Sequence, residues 1–333
     1  MKTLSSSPAR IIAQPSGFRV KLVFAGTPAT ALSSLKGLLN TGHEIAAVIT
    51  QPPAPAGRGR KITPSPVQEF ARSLGLPVLA PLSIAEIDSE LRQIKPDCIP
   101  IVAYGQIIPK DLLSIPSHGW VNLHFSLLPS WRGAAPVQHA IWAGDPITGA
   151  TTFILDSGMD TGAVLGSVTE VIRPRDTAGE LLERLADTGA VLLRQSLDAL
   201  AAGALQPQPQ GPDGISYAPK ITKSESRINW QMPAMEIDRR IRATTPAPGA
   251  WSTLSEANSA PERIGFGPVT LIGPESVSIG SILPGEIVVD SKKVLVGTLT
   301  LPVELTTVTP QGRKTMAASD WIRGLANPPK AFV

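Results

Sequence analysis

Asn122 and His124 stand two residues apart in the run WVNLH. In a strand, that spacing turns both side chains to one face. An amide there can donate N–H groups to a developing oxyanion, and an imidazole can exchange a proton near neutral pH. Further along, the turn Gly158-Met159-Asp160-Thr161-Gly162 holds out a carboxylate. An Asp beside a His orients it and supports its cation, or acts through a water. No Ser or Cys elbow accompanies the three. Asn122, His124 and Asp160 therefore predict direct acyl transfer with no covalent intermediate on the protein. An Asn-x-His pair also occurs as a satisfied polar pair within a sheet, and G-x-D-x-G as a plain turn. What sets these apart is the run that follows, SLLPSWRGAAPVQ, too irregular for a helix or a strand.

Other chemistry-bearing residues are sparser. The stretch QPPAPAGRGRKITPSP is a Pro/Gly loop carrying Arg58, Arg60 and Lys61. Such a loop can reach phosphates and order on binding, or remain a solvated basic loop. The single cysteine, Cys98, excludes a disulfide framework and a Cys-cluster zinc site, and reads as a small buried strand residue. His118 precedes His124 with no third ligand in view, so no metal site is expected. His43 and His139 read as surface or structural residues. FAGTPATA lacks the glycine spacing of a dinucleotide loop.

The elements that must position these groups follow from the apolar pattern. VKLVFAG, HEIAAVIT, LPVLA and PDCIPIVAYGQ read as strands. Between them lie a helix capped by Thr27 and Pro28, PVQEFARSLG and IAEIDSELRQI. ATTFILD and AVLGSVTEVI pair as antiparallel strands around the Asp160 turn, and TAGELLERLADTGAVLLRQSLDALAAG is a long amphipathic helix. The fold class expected is α/β, a Rossmann-like, mostly parallel sheet with helices on both faces. In such sheets ligands sit beyond the C-terminal strand ends, where VNLH places its polar residues.

After Gly203 the composition changes. LQPQPQGPDG reads as a linker and INWQMPAMEIDRRIRAT as one helix. Short Val/Ile/Leu/Thr segments broken by Gly and Pro then predict an OB-like small β-barrel of roughly five strands. The division expected is residues 1–18 as a tail or extended start, 19–205 as the catalytic domain, 206–223 as linker and 224–333 as the barrel. The 333 residues, 42% hydrophobic and 17% charged, can bury a sizeable core, which excludes wholesale disorder. No run approaches the length that crosses a bilayer, and a cytoplasmic monomer is expected. A net charge of +3 permits an acidic partner without demanding one.

From Lys21 to about Gly166 the chain resembles the formyltransferase domain of 10-formyltetrahydrofolate-dependent enzymes. VNLHFSLLPSWRGAAPVQHAIWAGD and DSGMDTG carry the resemblance. FAGTP, TQPPAPAGRGRKITPSPV, PDCIPIVAYGQIIP and YAPKITKSESRINW point further, to the methionyl-tRNA formyltransferases. The resemblance implies that the α-amine of methionyl initiator tRNA attacks the formyl carbonyl of the folate co-substrate, in a step of translation initiation. Asn122 and His124 would hold the oxyanion, His124 would help protonate the departing nitrogen, and Asp160 would position His124 and assist removal of the amine's proton. Ser126, Leu127, Leu128 and Pro129 match the folate-binding segment. Arg58 matches an arginine of the loop that meets the tRNA acceptor end, with Arg60 and Lys61 beside it as further candidates, although Pro53 and Ala54 stand where that family often has Asp and Arg. The C-terminal barrel would bind tRNA along a basic side. Charges from Glu225 onward nearly balance, so the candidates are local: Arg239, Arg240 and Arg242 on one helix, Arg313 and Lys314 in a hairpin. The alternative is a sibling enzyme that formylates a small amine such as an amino sugar or glycinamide nucleotide. A tRNA-binding module without catalysis would not need the intact trio.

Overall fold

The structure is a computed structural model describing residues 19–56, 59–254, 262–273, 282–325 and 329–333. The chain groups into two compact units, one running up to Val121 with Leu193–Gln206, the other Asn122–Leu192 with Pro207–Val333. Residues 122–192 thus group with the C-terminal segment.

In the first unit, β1 (Lys21–Gly26) is buried from Leu22 to Gly26's neighbour Ala25, as an apolar run in a covered parallel sheet should be. A 3-10 turn at Ala29–Ala31 leads into α1 (Leu32–Leu39), then β2 (Glu44–Ile49). A hairpin of β3 (Ala54–Ala56) and β4 (Lys61–Thr63) follows. Next come α2 (Pro66–Ser73), β5 (Val78–Leu79), α3 (Asp88–Ile94), β6 (Ile99–Val102), α4 (Lys110–Leu113) and β7 (Trp120–His124). The sheet order is β5-β2-β1-β6-β7, and β1 pairs parallel with both β2 and β6. Ser65 caps α2, its Oγ accepting from Gln68 N, with Pro66 at the first helical position. Thr27 does not cap a helix as its position suggested. Its hydroxyl donates to the Tyr104 carbonyl at 2.8 Å, and the α-helix starts only at Leu32.

In the second unit, β7 continues to β8 (Ile147–Ile154) and β9 (Val164–Val171), which pair antiparallel as expected. α5 (Pro136–Ala143) precedes them, and α6 (Ala178–Ala201) follows. A reciprocal cap opens α6: Glu180 Oε2 accepts from Thr177 N at 2.9 Å, and Glu180 N donates back to Thr177 Oγ1. The helix expected over INWQMPAMEIDRRIRAT is confined to α7 (Ala234–Ala243). Pro233 stops it from extending backward, and Ile228 N instead joins the Trp251 carbonyl.

The C-terminal strands pair antiparallel and are more numerous than the five the sequence suggested. β10 (Ala250–Leu254), β11 (Glu262–Phe266), β16 (Thr307–Pro310) and β17 (Met316–Ala317) form one sheet. β12 (Val269–Leu271), β13 (Ile287–Asp290), β14 (Lys293–Val296) and β15 (Val303–Leu305) form another. Gly267-Pro268 splits what reads as one apolar run into β11 and β12, because proline withholds an N–H from a ladder. α8 (Ala318–Arg323) closes the segment over a core where Trp230 stacks on Phe332 and Phe266 meets both edge-on, centroids 5.1–5.5 Å apart.

Candidate active site

Alternation along β7 sets Asn122 and His124 on one face, with Leu123 buried on the other. His124 is only 6% exposed. Its Nε2 lies 2.9 Å from the Trp131 carbonyl oxygen. A carbonyl only accepts, so Nε2 carries the proton and donates it there. The remaining nitrogen, Nδ1, faces Asp160 Oδ2 at 3.8 Å. Burial pushes the imidazole pKa below its ordinary value, opposed by the Asp160 carboxylate and the bond to Trp131. His124 is thus held neutral, with its basic nitrogen toward a carboxylate. The Phe153 ring meets it edge-on, centroids 6.4 Å apart.

The Trp131 carbonyl is itself fixed. Trp131 N donates to Ser216 Oγ at 2.9 Å and its indole Nε1 to Asp145 Oδ2 at 2.7 Å, while Arg132 N reaches the Ser216 carbonyl. Trp131 sits at φ +60°, a conformation non-glycine residues rarely keep without support.

Asp160 also adopts a left-handed φ, +52°. Its loop is tied at the base by Asp156 Oδ1, which accepts from Gly158 N at 3.0 Å and Thr161 Oγ1 at 2.7 Å. Its own Oδ2 accepts from Gly133 N at 2.7 Å. Gly133 has φ +125°, and a Cβ there would lie 2.7 Å from the Ala218 carbonyl oxygen. Only glycine delivers that N–H to the carboxylate.

His124 and Asp160 therefore come together, with Asn122 on the same face of β7 as His124. The amide of Asn122, half-buried on β7, has no hydrogen-bond partner among the described residues. A free amide beside a neutral imidazole backed by a carboxylate is equipped to receive an oxyanion and to shuttle one proton.

The candidates downstream form a fixed turn. Ser126 is fully buried and its Oγ donates to the Ser130 carbonyl at 2.6 Å, so the hydroxyl is engaged within the protein. Thr151 Oγ1 donates to the Ser126 carbonyl at 2.7 Å and accepts from Leu128 N at 3.2 Å. Leu127, Leu128 and Pro129 are half-buried and line the turn.

Arg60 and Lys61 are exposed in the β3–β4 hairpin of the first unit; Arg58 lies outside the described residues. Of the helix arginines, Arg242 is not a surface cation. It is 6% exposed, its Nε donates to Asp238 Oδ2 at 2.7 Å, and Nη1 reaches the Asp176 carbonyl at 3.0 Å. Arg240 lies over the Trp142 ring at 4.4 Å, and Arg239 reaches the Ala143 carbonyl. Arg313 and Lys314 are exposed.

Cys98 is buried, as its strand position suggested, and burial pushes its thiol well above the ordinary range. His43 bonds Asp198 at 3.0 Å, and His139 stacks between Trp131 and Trp142. Among the described residues no three His, Cys, Asp or Glu side chains are placed to hold a metal ion, and no helix is long and apolar enough to cross a membrane. A cavity of about 360 Å³ lies between β10, β11 and the Gln311–Arg313 turn, away from the trio.

Sequence reasoning missed Gln210. It lies in the stretch read as linker, yet its amide bonds Arg132 and the Asp160 loop. Nothing in a Pro/Gln-rich run marks one glutamine above another. It missed the Trp131 carbonyl too, because a main-chain acceptor has no signature in residue type.

Comparison with known proteins gives a consistent picture. The formyl transferase family profile matches residues 19–197, and the formyl transferase C-terminal domain profile matches residues 220–326. The methionyl-tRNA formyltransferase of Acidothermus cellulolyticus is 54% identical over 326 residues, covering 94% of this chain and 99% of that protein. Among solved structures, an N-formyltransferase from Helicobacter canadensis with folinic acid and dTDP-3-aminofucose is similar at TM-score 0.63 and 18% identity, over 86% of this chain and 98% of that one. The methionyl-tRNA formyltransferase from Clostridium thermocellum matches at TM-score 0.52 and 18% identity, over 76% and 94%. At these identities the two structures speak for the fold alone.

Proposed function

The chain belongs to the formyl transferase family, and we infer that it moves the formyl group of 10-formyltetrahydrofolate onto the α-amine of methionyl initiator tRNA. The observation that carries this is similarity above half identity across nearly the full length, C-terminal domain included, to a methionyl-tRNA formyltransferase. A small amine would not need the basic β3–β4 hairpin, where Arg60 and Lys61 are exposed.

The geometry supports a specific division of labour. The neutral amine attacks the formyl carbon; a C–N bond forms and the carbonyl oxygen becomes an oxyanion. Asn122, whose amide is free, donates to that oxygen. Neutral His124 has no spare N–H, since Nε2–H is held by Trp131. It therefore acts through Nδ1, taking the proton that the attacking amine sheds. The resulting cation faces Asp160 Oδ2, 3.8 Å away in the resting site. Collapse breaks the bond to N10 of the folate, which takes the proton from Nδ1. One proton leaves the amine and one reaches N10.

Ser126–Pro129 would hold the folate through the turn they form, and Arg58, Arg60 and Lys61 would meet the tRNA. We assign 19–205 to catalysis, 206–223 to a linker and 224–333 to tRNA binding, in a cytoplasmic, monomeric enzyme.

The test is an acceptor assay on purified protein. Transfer from 10-formyltetrahydrofolate to charged initiator tRNA is expected, with amino sugars and glycinamide nucleotide left unmodified. Transfer to a small amine alone would replace this reading, and a folded protein with no transfer would reject it.

A further inference from the structure

We propose that Gln210 is a positioning residue for this reaction: its side-chain amide locks the Asp160 turn to the Trp131–Arg132 segment, keeping carboxylate and imidazole in register. The proposal deepens the function inferred above and rests on it.

Gln210 Nε2 donates to the Asp160 carbonyl at 2.7 Å and the Gly162 carbonyl at 2.9 Å. Its Oε1 accepts from Arg132 Nη2 at 2.6 Å and Nε at 3.1 Å. The amide's orientation is dictated by its neighbours: turned over, it would set NH₂ against a guanidinium and oxygen against two carbonyls. Arg132 is 7% exposed, and among the described residues its guanidinium pairs with no carboxylate. A buried cation needs an acceptor, and Gln210 supplies it without adding a charge beside His124.

The contacts close a ring. Arg132 is followed by Gly133, whose N–H holds Asp160 Oδ2. Arg132 is preceded by Trp131, whose carbonyl holds His124 Nε2. Gln210 joins Arg132 back to the Asp160 main chain. Each partner of His124 is thus one residue or less from a group that Gln210 binds. Cutting the ring at Gln210 releases the Asp160 and Gly162 carbonyls, leaving the carboxylate on the Gly133 N–H and the turn on Asp156, so that Asp160 can shift from Nδ1.

The experiment uses the full-length protein, 10-formyltetrahydrofolate and charged initiator tRNA, with wild type in parallel. Gln210→Ala should lower kcat about 10- to 100-fold, the scale set by misplacing a catalytic group by around an ångström. KM for either substrate should stay within about threefold, since no substrate-facing group is removed. In that variant the acid limb of the kcat profile should move to lower pH, because Asp160, the charged group facing the imidazole among the described residues, supports its cation less. Gln210→Glu keeps an oxygen for Arg132 but turns another onto two carbonyls. It should unfold at or above the temperature of Gln210→Ala while turning over no faster. Turnover that recovers with stability in Gln210→Glu, or kcat within twofold of wild type in Gln210→Ala, overturns the assignment. Should Gln210→Ala fail to fold, Gln210→Glu decides alone: near-wild-type kcat refutes, a roughly tenfold loss at unchanged KM supports. An inactive wild type would instead sink the functional reading, so the two failures are distinguishable.

Discussion

Replacing Asp160 by Asn removes a charge and little else. Asn keeps an oxygen for the Gly133 N–H and tolerates the left-handed conformation at φ +52°, so the turn should survive. What is lost is the attraction between the carboxylate and the cationic imidazole formed during transfer. At the 3.8 Å separation of Asp160 Oδ2 and His124 Nδ1, that attraction is about 4 kcal/mol at an effective dielectric near 20. Asp160's side chain is 16% exposed, so water screens part of it, and about 2–4 kcal/mol is a fair range. At 1.36 kcal/mol per decade, the single-turnover rate should fall about 30- to 1,000-fold. The pH profile supplies a second signature. The pKa of His124 is lowered chiefly by burial, and the Asp160 carboxylate opposes that lowering. Without the carboxylate it drops further, so more imidazole is neutral at a given acidic pH. The acid limb, where the base becomes protonated, should therefore move to lower pH even as the plateau falls. The assay is rapid-quench formyl transfer across pH with saturating substrates, with thermal unfolding as a check on folding. A plateau within threefold of wild type, or a limb shifted to higher pH, would refute the assignment of proton transfer to a His124–Asp160 pair.

Four further variants probe other parts of the molecule. Asn122→Ala should lower the single-turnover rate by about 10²-fold or more with little change in folate KM, whereas near-normal turnover would remove it from the oxyanion's surroundings. Thr151→Val strands the Ser126 carbonyl and the Leu128 N–H; urea unfolding should register about 1–3 kcal/mol of lost stability and the KM for folate should rise, an unchanged KM arguing against Ser126–Pro129 as the folate segment. Arg242→Met leaves Asp238 buried and unpaired, and chemical denaturation should show a loss of about 3–5 kcal/mol; a loss below about 1 kcal/mol would mean the pair is not buried in solution. Arg60→Ala with Lys61→Ala should raise the KM for tRNA and reduce the slope of binding against log salt by about 2, sparing folate, and an unaltered slope would take the hairpin out of the tRNA interface.

Much of the candidate site was readable because its side chains follow simple periodicities. Two residues along a strand bring Asn122 and His124 to one face, and a turn between two antiparallel strands returns Asp160 toward them. The antiparallel pairing of β8 and β9 was equally direct, since both runs and the turn lie within one stretch of chain. What escaped were competitions that only folding decides. Thr27 looks like a cap, but the Tyr104 carbonyl claims its hydroxyl. Arg242 looks like one of three surface cations, but the helix turns it toward Asp238 and the Asp176 carbonyl. Gln210 looks like filler because its partners are a residue far along the chain and two carbonyls.

The candidate site is held largely by main-chain atoms, and this explains which residue identities it requires. His124 ends on the Trp131 carbonyl, Asp160 on the Gly133 N–H, and Gln210 on the carbonyls of Asp160 and Gly162. A main-chain donor or acceptor is present whatever the side chain, so the constraint passes to the residues that let the backbone reach its position. Gly133 at φ +125° cannot carry a side chain without meeting Ala218, and a Cβ on Gly162 would collide with the Ile154 carbonyl oxygen. Trp131 and Asp160 take left-handed conformations that cost about 1–2 kcal/mol each, the left-handed penalty for residues with a Cβ. That cost is borne where it orients a carbonyl toward one imidazole nitrogen and a carboxylate toward the other. In the proposed reaction, fixing both nitrogens before substrate arrives leaves His124 a single nitrogen, Nδ1, through which to pass a proton.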